Sequence, residues 1–293
     1  MSCVACGGNA FSALPYPAAG ATDAGLRFDS IRICAGCGLG RALPSFPQSV
    51  LDAFYASGSY WASAVAPGRA QSLHAYNQCR HRVAVVLAAL PASAPLRVLD
   101  VGAGQGWTAD WLAKLAPQGV ERFDFVEPDD GCSAAIEARK PCASVLRLAS
   151  LAQARPGYDV VFLNHVLEHV ADPVACVQGL AALLADGGLA YVEVPHADYR
   201  FKADVFPHTW FFTPAALRHL AGRAGVKELR SETFGRLPAG GPLDLACRAG
   251  FRGSAALGAA APASWFDDRL WRYQAVADGI WLRWIVASPD FSQ

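Results

Sequence analysis

The sequence predicts an α/β fold in which one large sheet of alternating strands and helices follows a small module built around cysteines. Three observations predict it. Five apolar strand-like runs between Val98 and Val194 alternate with helical segments and loops, as in a mostly parallel sheet. The first of them, Val98–Val101, runs into a glycine-rich turn and then a helix. Two matched C-x-x-C-G motifs stand within the first 40 residues.

At 293 residues the chain is long enough to bury roughly three quarters of its unfolded surface, so its core needs no disulfides. Hydrophobic residues are 53% and charged residues 17%, which excludes a disordered chain. The 25 basic and 25 acidic side chains cancel, and no Lys/Arg-rich run is present. That balance argues against a nucleic-acid partner, which would call for a basic stripe. No stretch reaches the roughly 20 apolar residues of a membrane span, and Met1–Cys6 lacks the basic and apolar regions of a signal peptide. The expected setting is therefore cytoplasmic and free of membrane. In a reducing compartment the nine cysteines are expected to be metal ligands or buried thiols.

Cys3-Val4-Ala5-Cys6-Gly7 and Cys34-Ala35-Gly36-Cys37-Gly38 lie 27 residues apart, counted between Cys6 and Cys34. Two residues between cysteines let both thiolates face one ion, and the following glycine permits the tight turn that aims amides at the sulfurs. Cys3, Cys6, Cys34 and Cys37 are thus predicted to close a tetrahedron around a structural Zn²⁺ in a zinc-ribbon pattern, with a strand at Phe28–Ile33 leading into the second knuckle. One such pair alone would read equally well as a redox pair. Cys79, Cys132, Cys142, Cys176 and Cys247 read as small core residues.

The turn after the first strand is Asp100-Val101-Gly102-Ala103-Gly104-Gln105-Gly106-Trp107, and a helix is expected over Trp107–Leu115. A dinucleotide fingerprint would need its third glycine at position 107, where the bulky Trp107 stands. The next strand, Arg122–Glu127, ends on a carboxylate 23 residues after Gly104 and is followed by Pro128. A carboxylate there can grip a ribose diol. Val145–Leu148 is the third strand and Tyr158–Leu163 the fourth. After the fourth comes Asn164-His165-Val166-Leu167-Glu168-His169-Val170-Ala171-Asp172-Pro173, with Asp172 as N-cap and Pro173 as first residue of a helix ended by Gly187-Gly188. Leu189–Val194 is the fifth strand.

The spacing Asp-x-Gly-x-Gly-x-Gly resembles motif I of class I S-adenosylmethionine-dependent methyltransferases. The segment from His165 to Pro173 resembles the motif after their fourth strand, as in the quinone O-methyltransferases. The resemblance covers about residues 90–250 and implies a Rossmann-like seven-stranded methyltransferase sheet. It implies S-adenosylmethionine as cofactor, with its amino-acid part on Gly102, Ala103, Gly104, Gly106 and Trp107 and its ammonium oriented by Asp100. Glu127 and Pro128 would meet the ribose, and Asn164 and His165 would line the same site. Many family members carry an Asp after the third strand for the adenine amino group. Here Ala149-Ser150-Leu151 leaves Ser150 or a backbone amide for that contact. Some quinone methyltransferases bind Mg²⁺ through related acids and His. His165 stands where those carry Glu, and Glu168 and His169 read first as residues that fix the loop.

After the fifth strand, Pro195–Tyr199 and Asp204–Pro214 occupy the place where the family builds its acceptor pocket. Thr213 and Pro214 start a helix that runs to about Ala224 and stops at Gly225. Zinc knuckles, core and a His-containing aromatic segment together are similar to the nucleotide-sugar C-methyltransferases. Their Tyr-His-Glu-His pattern, aligned on Phe211-Phe212-Thr213, puts its second His on His208, while its Tyr falls on Val205 and its Glu on Pro207. A base candidate thus survives and two partners are missing, which leaves O- or N-methylation open. His165 is the rival base. Trp210, Phe211 and Tyr199 read either as stacking surfaces or as aromatic core.

The flanks complete the reading. A helix is predicted over Tyr76–Leu90, packed over the turn. Leu229–Phe234 and Leu243–Arg248 read as strands six and seven, a reversed hairpin. Ser264–Asp267 resembles a capping box opening a helix with Leu270, Trp271, Tyr273, Ile280, Trp281, Trp284 and Ile285. The predicted organisation is a zinc ribbon at 1–45, a helical linker at 46–92, the methyltransferase domain at 93–250 and a helical extension at 251–293. The expected activity is methyl transfer to a small polar metabolite such as a nucleotide-linked sugar or a glycan or antibiotic precursor, by a monomer or homodimer. The alternatives are a ribosomal RNA methyltransferase with a zinc ribbon, a quinone-type O-methyltransferase and a non-catalytic cofactor-binding module. Against the RNA reading stand the zero net charge and Asn164-His165-Val166-Leu167 where Asn-Pro-Pro-Tyr would be expected.

Overall fold

The structure is a computed structural model that describes residues 2–18, 25–57, 69–90, 94–235 and 275–291. The N-terminal part contains β1 (Phe11–Pro15), β2 (Ser30–Cys34), β3 (Gly40–Leu43), α1 (Gln48–Ala56) and α2 (Arg69–Ala89). The alternating core follows as β4 (Leu96–Val101), α3 (Trp107–Leu115), β5 (Val120–Val126), α4 (Asp130–Arg139), β6 (Ser144–Leu148), β7 (Tyr158–Asn164), α5 (Pro173–Leu183) and β8 (Leu184–Pro195). Then come β9 (Trp210–Phe211), α6 (Pro214–Ala224), β10 (Lys227–Phe234) and β11 (Trp281–Ala287).

Seven strands form one sheet in the order β10-β11-β8-β7-β4-β5-β6. Strands β4 to β8 are parallel, and β11 runs antiparallel to both β8 and β10. The sheet is covered on both faces, so its central strands are apolar nearly throughout instead of alternating. Leu99, Val101, Val161, Leu163, Ala190 and Val192 face one core with α5 and α6. Val98, Val160, Phe162, Leu189 and Tyr191 face the other with α2 and α3. The chain leaves β4 toward β5 and β6 on one side and returns to β7 and β8 on the other. The crevice between the carboxyl ends of β4 and β7 is therefore the switch point where ligands of such sheets bind.

The predicted helix caps form. Asp172 accepts from the amides of Val174 and Ala175 at 2.9 and 3.1 Å with Pro173 next, and Thr213 accepts from Ala216 N with Pro214 next. Gly225 ends α6 in the left-handed region. One boundary moves: α5 stops at Leu183 instead of at Gly187-Gly188, and β8 begins at once. A Cβ at Gly188 would stand 2.6 Å from the Tyr158 carbonyl oxygen, so the glycine serves the close approach of β8 to β7.

The seventh strand is a correction. The helix expected through Trp281, Trp284 and Ile285 is strand β11 over 281–287, at the centre of the reversed part of the sheet. Leu282, Trp284 and Val286 fill one core and Ile285 the other. Apart from the buried Arg283, a strand covered on both faces is apolar along its length, so its two-residue period does not show in the sequence. The last part of the presumed helical extension thus belongs to the main sheet. The strand expected at Leu243–Arg248, the start at Ser264–Asp267, Leu270, Trp271, Tyr273 and Cys247 lie outside the described residues.

The N-terminal module is a second sheet of four strands, in the order β1-β2-β3-β9. Its fourth strand, Trp210–Phe211, comes from the segment after β8, more than 160 residues downstream of β3. Among the described residues no helix is long and apolar enough to cross a membrane.

Candidate active site and cysteine centre

Each part of the glycine turn has a steric reason. Gly102, Gly104 and Gly106 all have positive φ, 70°, 53° and 70°. A side chain on Gly102 would collide with Val166 of the loop after β7, and one on Gly106 with Ile136 of α4. The turn is thus pinned between two elements and ends at the start of α3, whose first residue is Trp107. Trp107 packs edge-on against Tyr76 of α2, which also receives the Trp111 indole N–H on its backbone oxygen at 2.7 Å.

Asp100, the last residue but one of β4, is 1% exposed. Neither carboxylate oxygen has a hydrogen bond of good geometry among the described residues. Burial pushes its carboxyl up to about 7, opposed by the nearby Thr108 hydroxyl and Arg82 guanidinium. A buried carboxylate left so exposed to its own desolvation calls for a cationic ligand. Glu127, 3% exposed at the end of β5, accepts from Gly104 N at 2.7 Å and from Asp129 N at 2.9 Å. It ties the second strand end to the glycine turn. Pro128 and Ser150 are exposed at the neighbouring strand ends. Asn164 ends β7 with its buried side-chain oxygen unsatisfied among the described residues. The cofactor candidates therefore converge on the switch point of the sheet.

His165 has φ +55°, uncommon for a residue with a side chain and typical of functional loops. Its ring lies between two buried carboxylates, with Nδ1 3.3 Å from Glu168 Oε1 and Nε2 3.4 Å from Glu193 Oε1, and edge-on to Trp281. Burial disfavours the charged ring, but the two carboxylates overcome it and hold its pKa above the ordinary range. Glu193 is itself fixed by Arg82 at 2.6 and 3.0 Å, Gln78 at 2.8 Å and the Tyr191 hydroxyl at 2.8 Å.

His208 lies on the other side of the loop. Its Nδ1 is 3.2 Å from Asp198 Oδ2, and Lys202 Nζ approaches the same carboxylate at 2.8 Å. Burial works against charge on Asp198, but His208 and Lys202 bring its carboxyl down to about 2. The His208 ring packs edge-on to His169, whose Nδ1 pairs with the Tyr55 hydroxyl at 2.7 Å. Trp210, Phe211 and Phe212 are 4%, 1% and 1% exposed, so they pack as core at the junction with the module and offer no stacking face.

Asp198, Glu193, Arg82, Tyr16 and Tyr55 were not legible as site residues. Glu193 left a signal, a charge inside an otherwise apolar strand, and Asp198 and Lys202 left another in their four-residue spacing. Arg82, Tyr16 and Tyr55 left none, because their partners are distant in sequence.

The four N-terminal cysteines meet. Cys3 and Cys37 sulfurs are 3.6 Å apart, Cys6 and Cys34 sulfurs 3.5 Å, and all four lie within 4.8 Å of one another. A tetrahedron with Zn–S bonds of about 2.3 Å has edges of about 3.8 Å, so the cluster could hold such an ion. Burial raises the Cys3 and Cys37 thiols and opposes ionisation of Cys34, where the Cys37 and Gly36 amides outweigh it and lower the thiol to about 7. The described cysteines form no disulfide.

Residues 69–230 match the family described as methyltransferase domain. The ubiquinone biosynthesis O-methyltransferase of Xanthomonas campestris pv. campestris (strain B100) is 35% identical over 154 residues, 51% of this chain and 62% of that protein. The chain thus spans less than two thirds of the length of the curated relatives it matches. Among solved structures, a chain of the complex between the Haloferax volcanii Trm112 methyltransferase activator and a methyltransferase aligns with a TM-score of 0.54 at 16% identity, over 82% of this chain and 99% of that one. The cyclase SpnF aligns with a TM-score of 0.52 at 15% identity, over 84% and 98%. At such identities the likeness is one of fold, and a cyclase among these neighbours means that fold alone does not fix the reaction.

Proposed function

The chain belongs to the methyltransferase-domain family, and from that premise we propose that it methylates a hydroxyl of a small polar metabolite at the crevice above β4 and β7. The observation that carries the reading is Asp100, a buried carboxylate with no hydrogen bond of good geometry among the described residues, set directly before a steric glycine turn and across from Glu127. That donor set fits S-adenosylmethionine. Asp100 would take the ammonium, the start of α3 the carboxylate, and Glu127 the ribose hydroxyls. Trp107, Pro128, Ser150 and Asn164 complete the lining. When bound, the cofactor supplies a methyl group already activated on a sulfonium. What remains for the protein is to place the acceptor and remove its proton.

His208 is the base in this reading. The Asp198 carboxylate, at ion-pair distance from Nδ1 but without hydrogen-bond geometry there, stabilises the imidazolium formed when a hydroxyl proton arrives at Nε2. His165 suits a different part. Two carboxylates favour its protonated form, which suits it to serve as a hydrogen-bond donor beside Asn164. A structural zinc on Cys3, Cys6, Cys34 and Cys37 completes the proposal. A nucleotide-linked sugar or a glycan or antibiotic precursor is the first acceptor class to assay. The likeness to the ubiquinone biosynthesis O-methyltransferases supports a phenolic quinone precursor as the second.

Calorimetry should show the demethylated cofactor binding in preference to NAD; the reverse preference overturns the cofactor assignment. In a methylation assay over both acceptor classes, His208→Ala should lower turnover by about 10²–10⁴ at unchanged cofactor affinity. If His165→Ala does this and His208→Ala does not, the two histidines exchange roles.

A further inference from the structure

We infer that the cysteine module is a positioning part of the acceptor site, with Tyr16 as its direct hold on the His208 loop. The inference rests on the reading that residues 198–213 form that site. The segment from Val205 to Thr213 lies between the module and the loop after β7, and is hydrogen-bonded on both sides. Toward the module, Val205 N donates to Pro17 O at 3.0 Å, and Ala42 N donates to Thr209 O at 2.9 Å. Trp210 and Phe211 pair with Arg41 and Gly40 as the fourth strand of the module sheet. The Thr213 hydroxyl donates to the Cys37 carbonyl at 2.6 Å, directly on a knuckle. Toward the loop after β7, Thr209 donates to Glu168 O through both its amide and its hydroxyl at 2.8 Å, and the Trp210 indole donates to Val170 O at 2.8 Å.

Tyr16 sits at the centre of this arrangement. Its hydroxyl is shared between the carbonyl of His208 at 2.9 Å and that of Val205 at 3.1 Å, so it closes the turn that carries the proposed base. The ring is 8% exposed and packs on Phe28 of the module and Phe211 of the segment. Burial, with the Asp198 and Asp204 carboxylates, holds the phenol above its ordinary range, so it remains a donor at any working pH. The second knuckle is shaped for the same contact. Gly38 has φ +73°, and a Cβ there would stand 2.9 Å from Thr213 Cγ2. Zinc on the four cysteines would fix the Cys34–Gly40 loop, and so the strand edge that receives Trp210 and Phe211.

Tyr16→Phe keeps the ring and removes the hydroxyl. Hydrogen exchange of the full chain should show amides in 205–213 opening about three- to tenfold more often, with β4 and β5 unchanged. Zinc content should stay at that of the parent protein and affinity for the demethylated cofactor should stay within about twofold, while turnover falls. Stripping zinc with a chelator should speed exchange of the same segment further. Unchanged exchange over 205–213 in Tyr16→Phe overturns the inference, whatever the chelator does. The exchange readout does not depend on His208 being the base, so loss of that assignment and loss of this one are separate results.

Discussion

In the proposed cofactor site, Asp100 sets a pH dependence whose direction can be worked out. A free Asp titrates near 3.9, and burial raises this one to about 7 in the folded protein. The folded state therefore holds the proton more tightly than the unfolded chain. Stability contributed at Asp100 is complete below about pH 4 and is lost as pH rises toward 7. Beyond that it stays lost. Three units at about 1.4 kcal/mol each amount to about 4 kcal/mol. Asp100→Asn removes the titration, so the stability difference between variant and parent should shift in favour of the variant by several kcal/mol between pH 4 and 7.5. Urea unfolding at a series of pH values measures it. A cationic ligand group beside Asp100 favours the carboxylate, so binding of the demethylated cofactor should release a proton. Its affinity should rise by up to about tenfold per unit as pH climbs toward 7, and level off above. A parent protein whose affinity is flat from pH 5.5 to 7.5, or a variant with the parent's slope, would refute the reasoning.

Three other expectations follow from the same structure. Glu127→Ala removes the acceptor for Gly104 N and Asp129 N and should weaken cofactor binding at least about tenfold by calorimetry. Cys34→Ser should abolish the zinc proposed for the four cysteines in elemental analysis; unchanged zinc content would exclude the four-cysteine site. Trp284 is fully buried in β11 with its indole on Glu228 at 2.9 Å, so Trp284→Ala should cost about 3–5 kcal/mol in chemical unfolding. A cost below about 1 kcal/mol would remove β11 from the sheet.

The sequence by itself determined what depends on neighbours along the chain. The turn from Asp100 to Gly106 needs positive φ at three glycines, and only glycine takes that conformation without strain, so the turn is written in its own residues. The caps at Asp172 and Thr213 close on amides two or three residues away, and the two cysteine knuckles are each a single tight turn. Tertiary structure alone decided whatever depends on partners far along the chain. Trp281–Ala287 is apolar enough for helix or strand, and the open hydrogen-bonding edges of β8 and β10 make it a strand. Arg82 meets Glu193, and through it His165, only because α2 packs over the sheet. Tyr16 reaches His208 across 192 positions because the acceptor segment gives up two residues to complete the module's sheet. A short-range pattern cannot encode such pairings. They exist because packing the elements buries polar groups of backbone and side chain that must find partners, and the nearest ones belong to another part of the chain.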